Sequence, residues 1–406
     1  MNTNAHILAA ADRCVMCGLC LPHCPTYQLH HSEAESPRGR IALMQALAAG
    51  QLKSSPVLQR HLDSCLVCRA CEKMCPSKVP YGQLIDATRA QLRKQGKPSP
   101  PPLKRLLAQV EEKKKLQRSG MLLRGYQQSG FQTLIRGGCL LKVLGLEEHE
   151  AQLPQIPLQQ SLAVRTPAQG ERRGRIGLFT GCIGSLLEGE VHRAAIKLLS
   201  RLGYEVHVPV SQGCCGSLHQ HNGEPQKAGE LAQKNIGVFD CLKLDAVVST
   251  ASGCAAQLSE YPALYGERTT PFYEICDFLT NIEWPESVQL KPLPQKALLH
   301  LPCNQRNVLQ RPDAVTTLLA RIPQLQCEPL AENHLCCGSA GSYQLTQRDN
   351  AEALRERKLD LIAGTNAQLL LSNNLGCALH LQNGLRQRGM KTKLLHPLLL
   401  LQQALG

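Results

Sequence analysis

Eight cysteines near the amino terminus form two runs with the same spacing. In each run three cysteines are separated by two residues, and a fourth cysteine follows four positions later, directly before a proline. The runs are Cys14, Cys17, Cys20 and Cys24, and Cys65, Cys68, Cys71 and Cys75. Three closely spaced thiolates can surround one corner of an iron–sulfur cage, while a more distant thiolate completes the ligand set. The spacing therefore predicts two [4Fe–4S] clusters that carry electrons.

The order of ligands follows from the use of this run in bacterial ferredoxins, where the fourth cysteine binds the other cluster. We therefore expect the first cluster on Cys14, Cys17, Cys20 and Cys75, and the second on Cys65, Cys68, Cys71 and Cys24. Structural zinc sites also use four thiolates, but usually as separated Cys-x-x-Cys pairs. Two triplets that are each followed by Cys-Pro favour the iron–sulfur interpretation. No catalytic residue is predicted.

Eight further cysteines belong to an internal repeat in the second half of the chain. The first copy holds Cys182, Cys214, Cys215 and Cys254, and the second holds Cys303, Cys336, Cys337 and Cys377. The offsets between Cys182 and Cys303, Cys214 and Cys336, and Cys254 and Cys377 are 121, 122 and 123 residues. Chance does not keep three offsets so nearly equal. The pattern predicts two copies of one structural unit, each with a Cys-Cys-Gly sequence at its centre.

Each copy alternates short apolar runs with helical stretches, and this alternation is typical of βαβ units with parallel strands. The cysteines follow directly after the predicted strands, for example Cys182 after residues 176–179 and Cys303 after residues 297–300. In open α/β sheets, ligands bind outside the carboxyl ends of the strands. The sequence therefore predicts two α/β lobes that carry metal-binding or redox thiols at these ends.

Helices are expected in the 40-residue interval between Cys24 and Cys65. Ser36 can cap a helix that has Pro37 in its first turn and ends at Gly50. A second helical stretch covers residues 57–62. Small ferredoxins pair strands between their cysteine runs, whereas this region resembles the α-helical ferredoxin module of succinate dehydrogenase iron–sulfur subunits. The predicted fold is therefore an α-helical ferredoxin-like domain followed by two repeated α/β lobes.

Four segments follow from these patterns. Residues 1–96 form the α-helical ferredoxin domain, and residues 97–170 form a basic, proline-rich helical linker. Residues 171–290 and 291–406 form the first and second Cys-Cys-Gly (CCG) repeats.

Composition limits the compartment and the partners. Twenty cysteines without a recognisable secretory signal indicate metal or redox use in the cytoplasm, not disulfides. The net charge is +13, and residues 91–118 carry nine Lys and Arg against two Glu. Because aromatic residues for base stacking are missing there, nucleic acid is not the predicted partner. The basic linker instead predicts a solvated surface, an acidic partner or peripheral contact with anionic lipids on the cytoplasmic face of the inner membrane.

The repeats resemble the cysteine-rich CCG domain of heterodisulfide reductases, in which the full pattern ends in Cys-x-x-Cys and can hold a further cluster. Here Ala251 and Asn374 replace the first cysteine of that final pair. Two interpretations remain open for the eight repeat cysteines. They hold an additional metal or cluster, or the lobes are former metal domains that now serve for structure or docking.

The remaining cysteines and several histidines have no partner by spacing. Cys139, Cys241, Cys276 and Cys327 are expected to be buried small apolar residues. His219, His300 and His334 lie near the repeat cysteines or the strand ends, and we expect structural roles for them.

The whole chain resembles the iron–sulfur subunit of bacterial glycolate oxidase. The resemblance runs through residues 24–27, 36–40, 61–69, 250–254 and 334–341. It implies an electron-transfer subunit of a flavin-dependent glycolate or 2-hydroxyacid dehydrogenase complex. FAD would be bound by partner subunits, and electrons from the oxidation of glycolate to glyoxylate would pass through the two clusters to a quinone or another acceptor.

The residues independently favour a carrier role. No GxGxxG motif follows a strand, and neither a Walker A motif nor a GxSxG motif is present, so substrate chemistry is expected on a partner. In two alternatives the chain transfers electrons in the same way but serves another dehydrogenase, either a D-lactate dehydrogenase or an anaerobic glycerol-3-phosphate dehydrogenase. A third makes the lobes catalytic in disulfide reduction, as in heterodisulfide reductases, although Ala251 and Asn374 argue against it.

Overall fold

The computed structural model describes residues 3–138, 141, 150–158, 161–266 and 270–406. Cys139, which the sequence predicts to be a buried small residue, lies outside the described residues.

The amino-terminal region consists of helices in the described range up to residue 94. These are Thr3–Ala11, Pro25–His30, Pro37–Ala48, Pro56–Asp63, Ala70–Lys73 and Tyr81–Lys94, with 3-10 turns at Leu21–His23 and Glu33–Glu35. The predicted cap is confirmed: Ser36 accepts a hydrogen bond from the backbone of Gly39, and Pro37 is the first helical residue.

The helices of this region enclose their own apolar core. Met44, Leu62, Leu84 and Ile85 are completely buried in one cluster, together with Ile7 from the first helix. These side chains lie on the buried faces of their helices. The loops that carry the cysteines connect these helices. The core thus fixes the separation and orientation of the two cysteine runs.

Between this region and the first repeat, the described residues form the helices Pro101–Glu111, Lys113–Gln128 and Phe131–Gly137. Val110 and Leu116 pack in one cluster with Cys182 and Cys214. The segment predicted as a linker therefore covers part of the first set of repeat thiols.

The first repeat contains a sheet of five strands within the described residues. The strands are β1 (Arg165–Thr166), β2 (Gly174–Phe179), β3 (Tyr204–His207), β4 (Ala246–Ser249) and β5 (Phe272–Glu274). Their order is β1-β3-β2-β4-β5. Strands β2 to β5 are parallel, as predicted, and β1 is an antiparallel edge strand on β3.

The second repeat contains a parallel sheet in the order β7-β6-β8-β9. Its strands are β6 (Lys296–Leu299), β7 (Gln326–Pro329), β8 (Leu369–Leu371) and β9 (Lys393–Leu395). The central pairs β2·β4 and β6·β8 correspond, because Leu178 pairs with Val248 and Leu299 pairs with Leu371. The internal repeat is therefore a structural repeat with the same register at its centre.

Helices follow the strands in both lobes. In the first they are Ile183–Leu187, Gly189–Arg201, Ser217–His221, Pro225–Asp240, Ser252–Ser259, Tyr261–Tyr265 and Ile275–Asn281. In the second they are Ala314–Leu319, Tyr343–Thr346, Arg348–Ala363, Leu375–Gln387 and Pro397–Leu405, with a π-helical turn at Asn304–Val308.

The two lobes share one apolar core. Leu178 and Val248 of the first sheet lie in the same buried cluster as Leu299 and Leu371 of the second. Burial of this shared surface fixes one lobe against the other, and the carboxyl ends of both sheets carry the repeat cysteines.

Both CCG loops need a glycine. Gly216 and Gly338 have φ angles of 86° and 90°, and a Cβ on Gly338 would lie 2.5 Å from the carbonyl oxygen of Ala351. The loop therefore packs directly on the helix Arg348–Ala363.

We predict that Gly338→Ala lowers the thermal unfolding midpoint clearly more than Gly389→Ala. Gly389 has a φ angle of 63°, but a Cβ at this position would meet no atom within 4 Å, so it reports the backbone penalty of about 1–2 kcal/mol alone. Gly338→Ala adds a steric clash with backbone that cannot give way. Equal midpoints for the two variants would show that the close approach is unimportant.

Candidate metal centres

Cys14, Cys17 and Cys20 lie on a loop that follows the helix Thr3–Ala11. Met16 and Gly18 have positive φ angles of 56° and 83°, which turn the backbone around a common centre. One cavity is lined by these three cysteines together with Cys71 and Cys75. The structure thus brings the fourth cysteine of the second run to the first three of the opposite run.

Arg38 holds this loop in place. Its Nη1 donates a hydrogen bond of 3.1 Å to the carbonyl oxygen of Met16, while its Nε pairs with Glu33 at 2.7 Å. A Cβ on Gly18 would lie 2.9 Å from the Arg38 guanidinium. The first helix turn after Ser36 therefore supports the first cysteine loop.

The second group of thiols forms around Cys65, Cys68 and Cys71. Val67 and Arg69 have positive φ angles of 52° and 57°, matching the turned backbone of the first loop. Burial raises the pKa of the Cys68 thiol, and so do the neighbouring thiols of Cys303, Cys24 and Cys65.

Burial also raises the pKa of Cys71, followed by the effects of Cys68, Cys65 and Cys24. Cys20 contributes in the same direction, so thiols of both runs shape the surroundings of Cys71. Crowded, buried thiols ionise only when a strong positive charge compensates them, and a cluster of iron ions supplies such charge. The donor set fits two [4Fe–4S] clusters.

The two groups differ in exposure. Cys17 is exposed, and so are Val15, Met16 and Leu19 beside it, whereas Cys24 and Cys65 are buried. The first group therefore faces the surface and the second faces the interior.

A completely buried arginine joins the segments that carry Cys24 and Cys65. Arg40 Nη1 donates to Thr26 Oγ1 at 3.0 Å, and that hydroxyl lies 3.3 Å from Cys24 Sγ. Arg40 Nη2 donates to Ser64 Oγ at 2.8 Å, and Ser64 directly precedes Cys65. One guanidinium thus ties both halves of the second ligand group together.

Glu35 balances the charge of Arg40 at 2.5 Å. Burial alone would raise the pKa of this carboxyl, but hydrogen bonds from Ser64 and His61, together with the charge of Arg40, outweigh it and lower the pKa. The carboxylate therefore stays ionised at neutral pH, and the ion pair is complete.

Tyr81 and Arg89 also contact Cys65. The Tyr81 hydroxyl donates to Cys65 Sγ at 3.6 Å, and Arg89 Nη2 donates to the Cys65 carbonyl oxygen at 2.8 Å. Arg89 Nη1 also donates to the carbonyl oxygen of His221 in the first lobe. Arg89 therefore connects the cysteine loop with the first repeat.

Sequence reasoning missed the roles of Arg40, Tyr81 and Arg89. Arg40 lies within residues 36–40, a stretch that carries the family resemblance. Its position four residues after the helix cap Ser36 was the signal in the sequence that could have indicated its role.

In each lobe the four repeat thiols lie next to one another in a chain. Side-chain contacts link Cys182 to Cys214, Cys214 to Cys215 and Cys215 to Cys254. The same order links the second set, Cys303, Cys336, Cys337 and Cys377. The structure thus brings together all four cysteines of each repeat.

The second lobe lies directly against the second cysteine run. Cys68 packs in one apolar cluster with Cys303 and Cys336, and Asn307 Nδ2 donates to the Cys68 carbonyl oxygen at 2.7 Å. A cavity of about 440 Å³ lies between the amino-terminal region and the two lobes, and it is lined by Cys65, Cys182, Cys214, Cys215, Cys254, Cys303, Cys336 and Cys377. The repeat thiols and the amino-terminal thiols therefore share one interior region.

Asn374 has a structural role in place of the missing cysteine. Its Oδ1 caps the helix Leu375–Gln387 by accepting from the backbone of Gly376 and Cys377, and its Nδ2 donates to Ser252 Oγ in the first lobe. This side chain stabilises the contact between the lobes.

The unassigned residues have different environments. Cys276 is buried as predicted and Cys327 is half-buried, but the prediction for Cys241 is wrong: it follows the helix Pro225–Asp240 at the surface and is exposed. His219 is buried and its Nδ1 lies 2.8 Å from Glu224, as a structural histidine would. Burial lowers the pKa of His300 to about 3.

Two family models match the chain. The model described as "4Fe-4S dicluster domain" matches residues 10–79, and the one described as "Cysteine-rich domain" matches residues 176–259 and 297–382. These ranges contain the two predicted cysteine runs and the two repeats.

Curated relatives match along the whole chain. The chain is 34% identical to the probable glycolate oxidase iron-sulfur subunit of Bacillus subtilis (strain 168), over 97% of this chain and 94% of the relative. It is 30% identical to the glycolate oxidase iron-sulfur subunit of Escherichia coli (strain K12), over 100% of this chain and 97% of the relative. Lactate utilization protein A of Geobacillus sp. (strain WCH70) is 28% identical but corresponds to 55% of this chain.

None of the helices in the described residues combines the length and the apolar character that crossing a membrane requires.

We predict that Arg40→Met destabilises the protein by about 3–5 kcal/mol, because it removes the guanidinium that pairs with the buried Glu35 carboxylate and leaves only the contacts with Ser64 and His61. The thermal unfolding midpoint checks this, and electron paramagnetic resonance (EPR) of the reduced protein reports the cluster beside Cys24 and Cys65. The control is Lys115→Ala, which breaks an exposed pair with Glu112 and costs at most about 1 kcal/mol. Similar midpoints for both variants would contradict the assigned role of Arg40.

Proposed function

The chain belongs to the family of the glycolate oxidase iron–sulfur subunits, and from this membership we propose that it is the electron-transfer subunit of a flavin-dependent glycolate dehydrogenase complex. FAD-carrying partner subunits oxidise glycolate to glyoxylate. This chain receives the electrons and passes them to a quinone or another acceptor.

The observation that carries the proposal is the placement of the two thiol groups. The first lies at the surface on a loop with exposed apolar residues, and the second is buried against the second lobe. Such an arrangement provides a point of contact for a donor and a protected site behind it, as a chain of electron carriers requires.

The ligand assignment is part of the proposal. Cys14, Cys17, Cys20 and Cys75 would hold one [4Fe–4S] cluster, and Cys65, Cys68, Cys71 and Cys24 the other. When bound, such clusters store and release single electrons, at potentials set by charge, hydrogen bonds and solvent exposure. The grouping of Cys75 with the first run, and of Cys24 with the second, supports this crossed arrangement.

The protein's own residues shape the two environments differently. Arg40 and Tyr81 place a cation and a hydroxyl beside the buried group, and both favour added negative charge there. The surface group has exposed Val15, Met16 and Leu19 next to it, which exclude water when a partner covers them. Electrons would therefore arrive at the first group and continue to the second.

The segments predicted from the sequence remain our proposed domains. Residues 1–96 form the α-helical ferredoxin domain, residues 97–170 connect it to the repeats and add the edge strand β1 to the first sheet, and residues 171–290 and 291–406 form the two CCG lobes.

We propose a cytoplasmic location with peripheral contact to the inner membrane. The helices Lys113–Gln128 and Phe131–Gly137 expose Met121, Leu122 and Leu134, and the first of them also exposes Lys114 and Lys115. Apolar side chains next to basic ones suit the headgroup region of an anionic membrane.

We predict that Cys24→Ser and Cys75→Ser each damage the cluster of the opposite run. EPR of the anaerobically reduced variants should show loss of one cluster and of the magnetic interaction between the two. Cys24→Ser should affect the cluster on Cys65, Cys68 and Cys71. Cys241→Ser, at an exposed cysteine outside both groups, should retain the wild-type spectrum. Damage restricted to each cysteine's own run would show that the ligands are not crossed.

We predict that the assembled complex reduces an artificial dye with glycolate faster than with D-lactate or glycerol-3-phosphate. A pull-down of the chain should recover a flavoprotein, and Cys17→Ser in this chain should abolish electron transfer to the acceptor while substrate still reduces the flavin. A higher rate with glycerol-3-phosphate would reassign the complex to another dehydrogenase. Full acceptor reduction by the Cys17→Ser complex would contradict the carrier role.

A further inference from the structure

The two CCG lobes differ at one position beside the repeat thiols. Leu178 and Leu299 occupy the same place in their sheets, since each pairs with the matching residue of the neighbouring strand. The next residue is Phe179 in the first lobe and His300 in the second, and both are about 1% exposed. Only the second lobe therefore places a nitrogen ligand at this strand end.

His300 lies in a tight group with two thiols. One ring nitrogen of His300 and the Sγ atoms of Cys337 and Cys377 all lie within 4.8 Å of one another. Within the described residues this is the only group of three such ligands at that spacing. In the first lobe, Phe179 instead packs in an apolar cluster with Cys215 and Cys254.

The distances between these three ligand atoms favour a single metal ion over an iron–sulfur cluster. Zinc binds thiolate sulfur at about 2.3 Å and imidazole nitrogen at about 2.0–2.1 Å, so tetrahedral ligands lie roughly 3.5–4 Å apart. A small contraction brings the three ligands of the second lobe to that separation. Cys336, adjacent in the thiol chain, and Cys303 beyond it are available for the fourth position.

The surroundings of His300 agree with a ligand role. Its Nδ1 lies 3.3 Å from Ser372 Oγ, which is long for a hydrogen bond. This contact alone does not explain why the imidazole is buried. An imidazole that binds a metal through one nitrogen usually contacts a polar group with the other.

A second, independent difference concerns charge. The helices Pro225–Asp240 and Arg348–Ala363 place Ala228 and Ala351 against the CCG glycines, Gly216 and Gly338. Seven residues further on, the first lobe has Asn235 and the second has Lys358.

Asn235 is bound to the backbone of Gly213 and Cys214, so its surroundings remain neutral. Lys358 is almost completely buried, and its Nζ donates to the carbonyl oxygen of Glu332, four positions before Cys336. A buried cation compensates the net negative charge of a site in which several thiolates bind one divalent ion. At this helix position, the second lobe has the compensating charge and the first does not.

We propose that the second CCG lobe binds a single zinc-type divalent ion through His300, Cys337 and Cys377, and that the first lobe does not. The ion joins the end of β6, the CCG loop and the helix Leu375–Gln387 at one point. Because Cys303 of this lobe packs on Cys68, the ion stabilises the wall against which the second cysteine run lies. The site stands on local geometry and does not depend on the substrate of the complex.

The test uses the full chain, purified anaerobically and dialysed against a chelator. Zinc and iron are counted by mass spectrometry, and X-ray absorption at the zinc edge identifies the ligand atoms. We expect about one zinc per chain, with sulfur and nitrogen neighbours. His300→Phe, which introduces the residue of the first lobe, and Cys377→Ser should each reduce retained zinc at least tenfold. The matched variant Cys254→Ser should keep it.

Cysteine can replace histidine as a zinc ligand, so His300→Cys should retain zinc with sulfur in place of nitrogen. This variant separates a ligand role from packing if His300→Phe unfolds. The EPR signal of the amino-terminal clusters, recorded on the same samples, reports separately on the proposed electron-carrier function.

Any one of five outcomes would overturn the proposal, and four of them concern zinc. They are a wild-type protein without zinc, retention of zinc by His300→Phe, equal loss of zinc in Cys254→Ser, and failure of His300→Cys to retain zinc. The fifth, which would indicate a cluster in the second lobe, is the loss of about four iron atoms per chain in Cys377→Ser while the EPR signal of the amino-terminal clusters is retained.

Discussion

Gathering negative sulfur atoms inside a protein is electrostatically unfavourable, and this constraint explains much of the structure. Sixteen cysteines in two runs and two repeats lie close to other thiols. Burial raises the pKa of Cys71, and hydrogen bonds between thiols together with burial raise the pKa of Cys182, Cys336 and Cys337. Such thiols become thiolates only beside positive charge, which comes from bound metal and from fixed cations. The guanidinium of Arg40 is buried between the segments of Cys24 and Cys65, and Lys358 is buried beside the loop that leads to Cys336.

The same constraint links the amino-terminal region to the repeats. Arg40 connects the segment of Cys24 to that of Cys65, so neither half of the second thiol group can move alone. Arg89 then connects the Cys65 loop to the first lobe, and Asn307 connects the Cys68 backbone to the second. The buried thiol group is thus fixed from three sides, while the surface group keeps an exposed apolar rim.

Spacing in the sequence predicted the groups of cysteines, because both a turned metal loop and a strand end fix ligands over short distances. It also predicted the repeat, the parallel sheets and the helix cap at Ser36. It could not identify Arg40, Lys358 or the contact between Cys68 and Cys303, since these depend on the packing of segments far apart in sequence. The prediction for Cys241 was wrong for the same reason: a lone cysteine at a helix end gives no local signal of exposure.

We propose that this chain conducts electrons through two iron–sulfur clusters held by eight amino-terminal cysteines. The most direct measurement is the iron content of anaerobically purified and reconstituted protein, combined with EPR after reduction. We expect about eight iron atoms per chain in cubane clusters and a spectrum of two interacting reduced clusters. Fewer than about four iron atoms after careful reconstitution, or a colourless protein that still supports full turnover of the assembled complex, would contradict it.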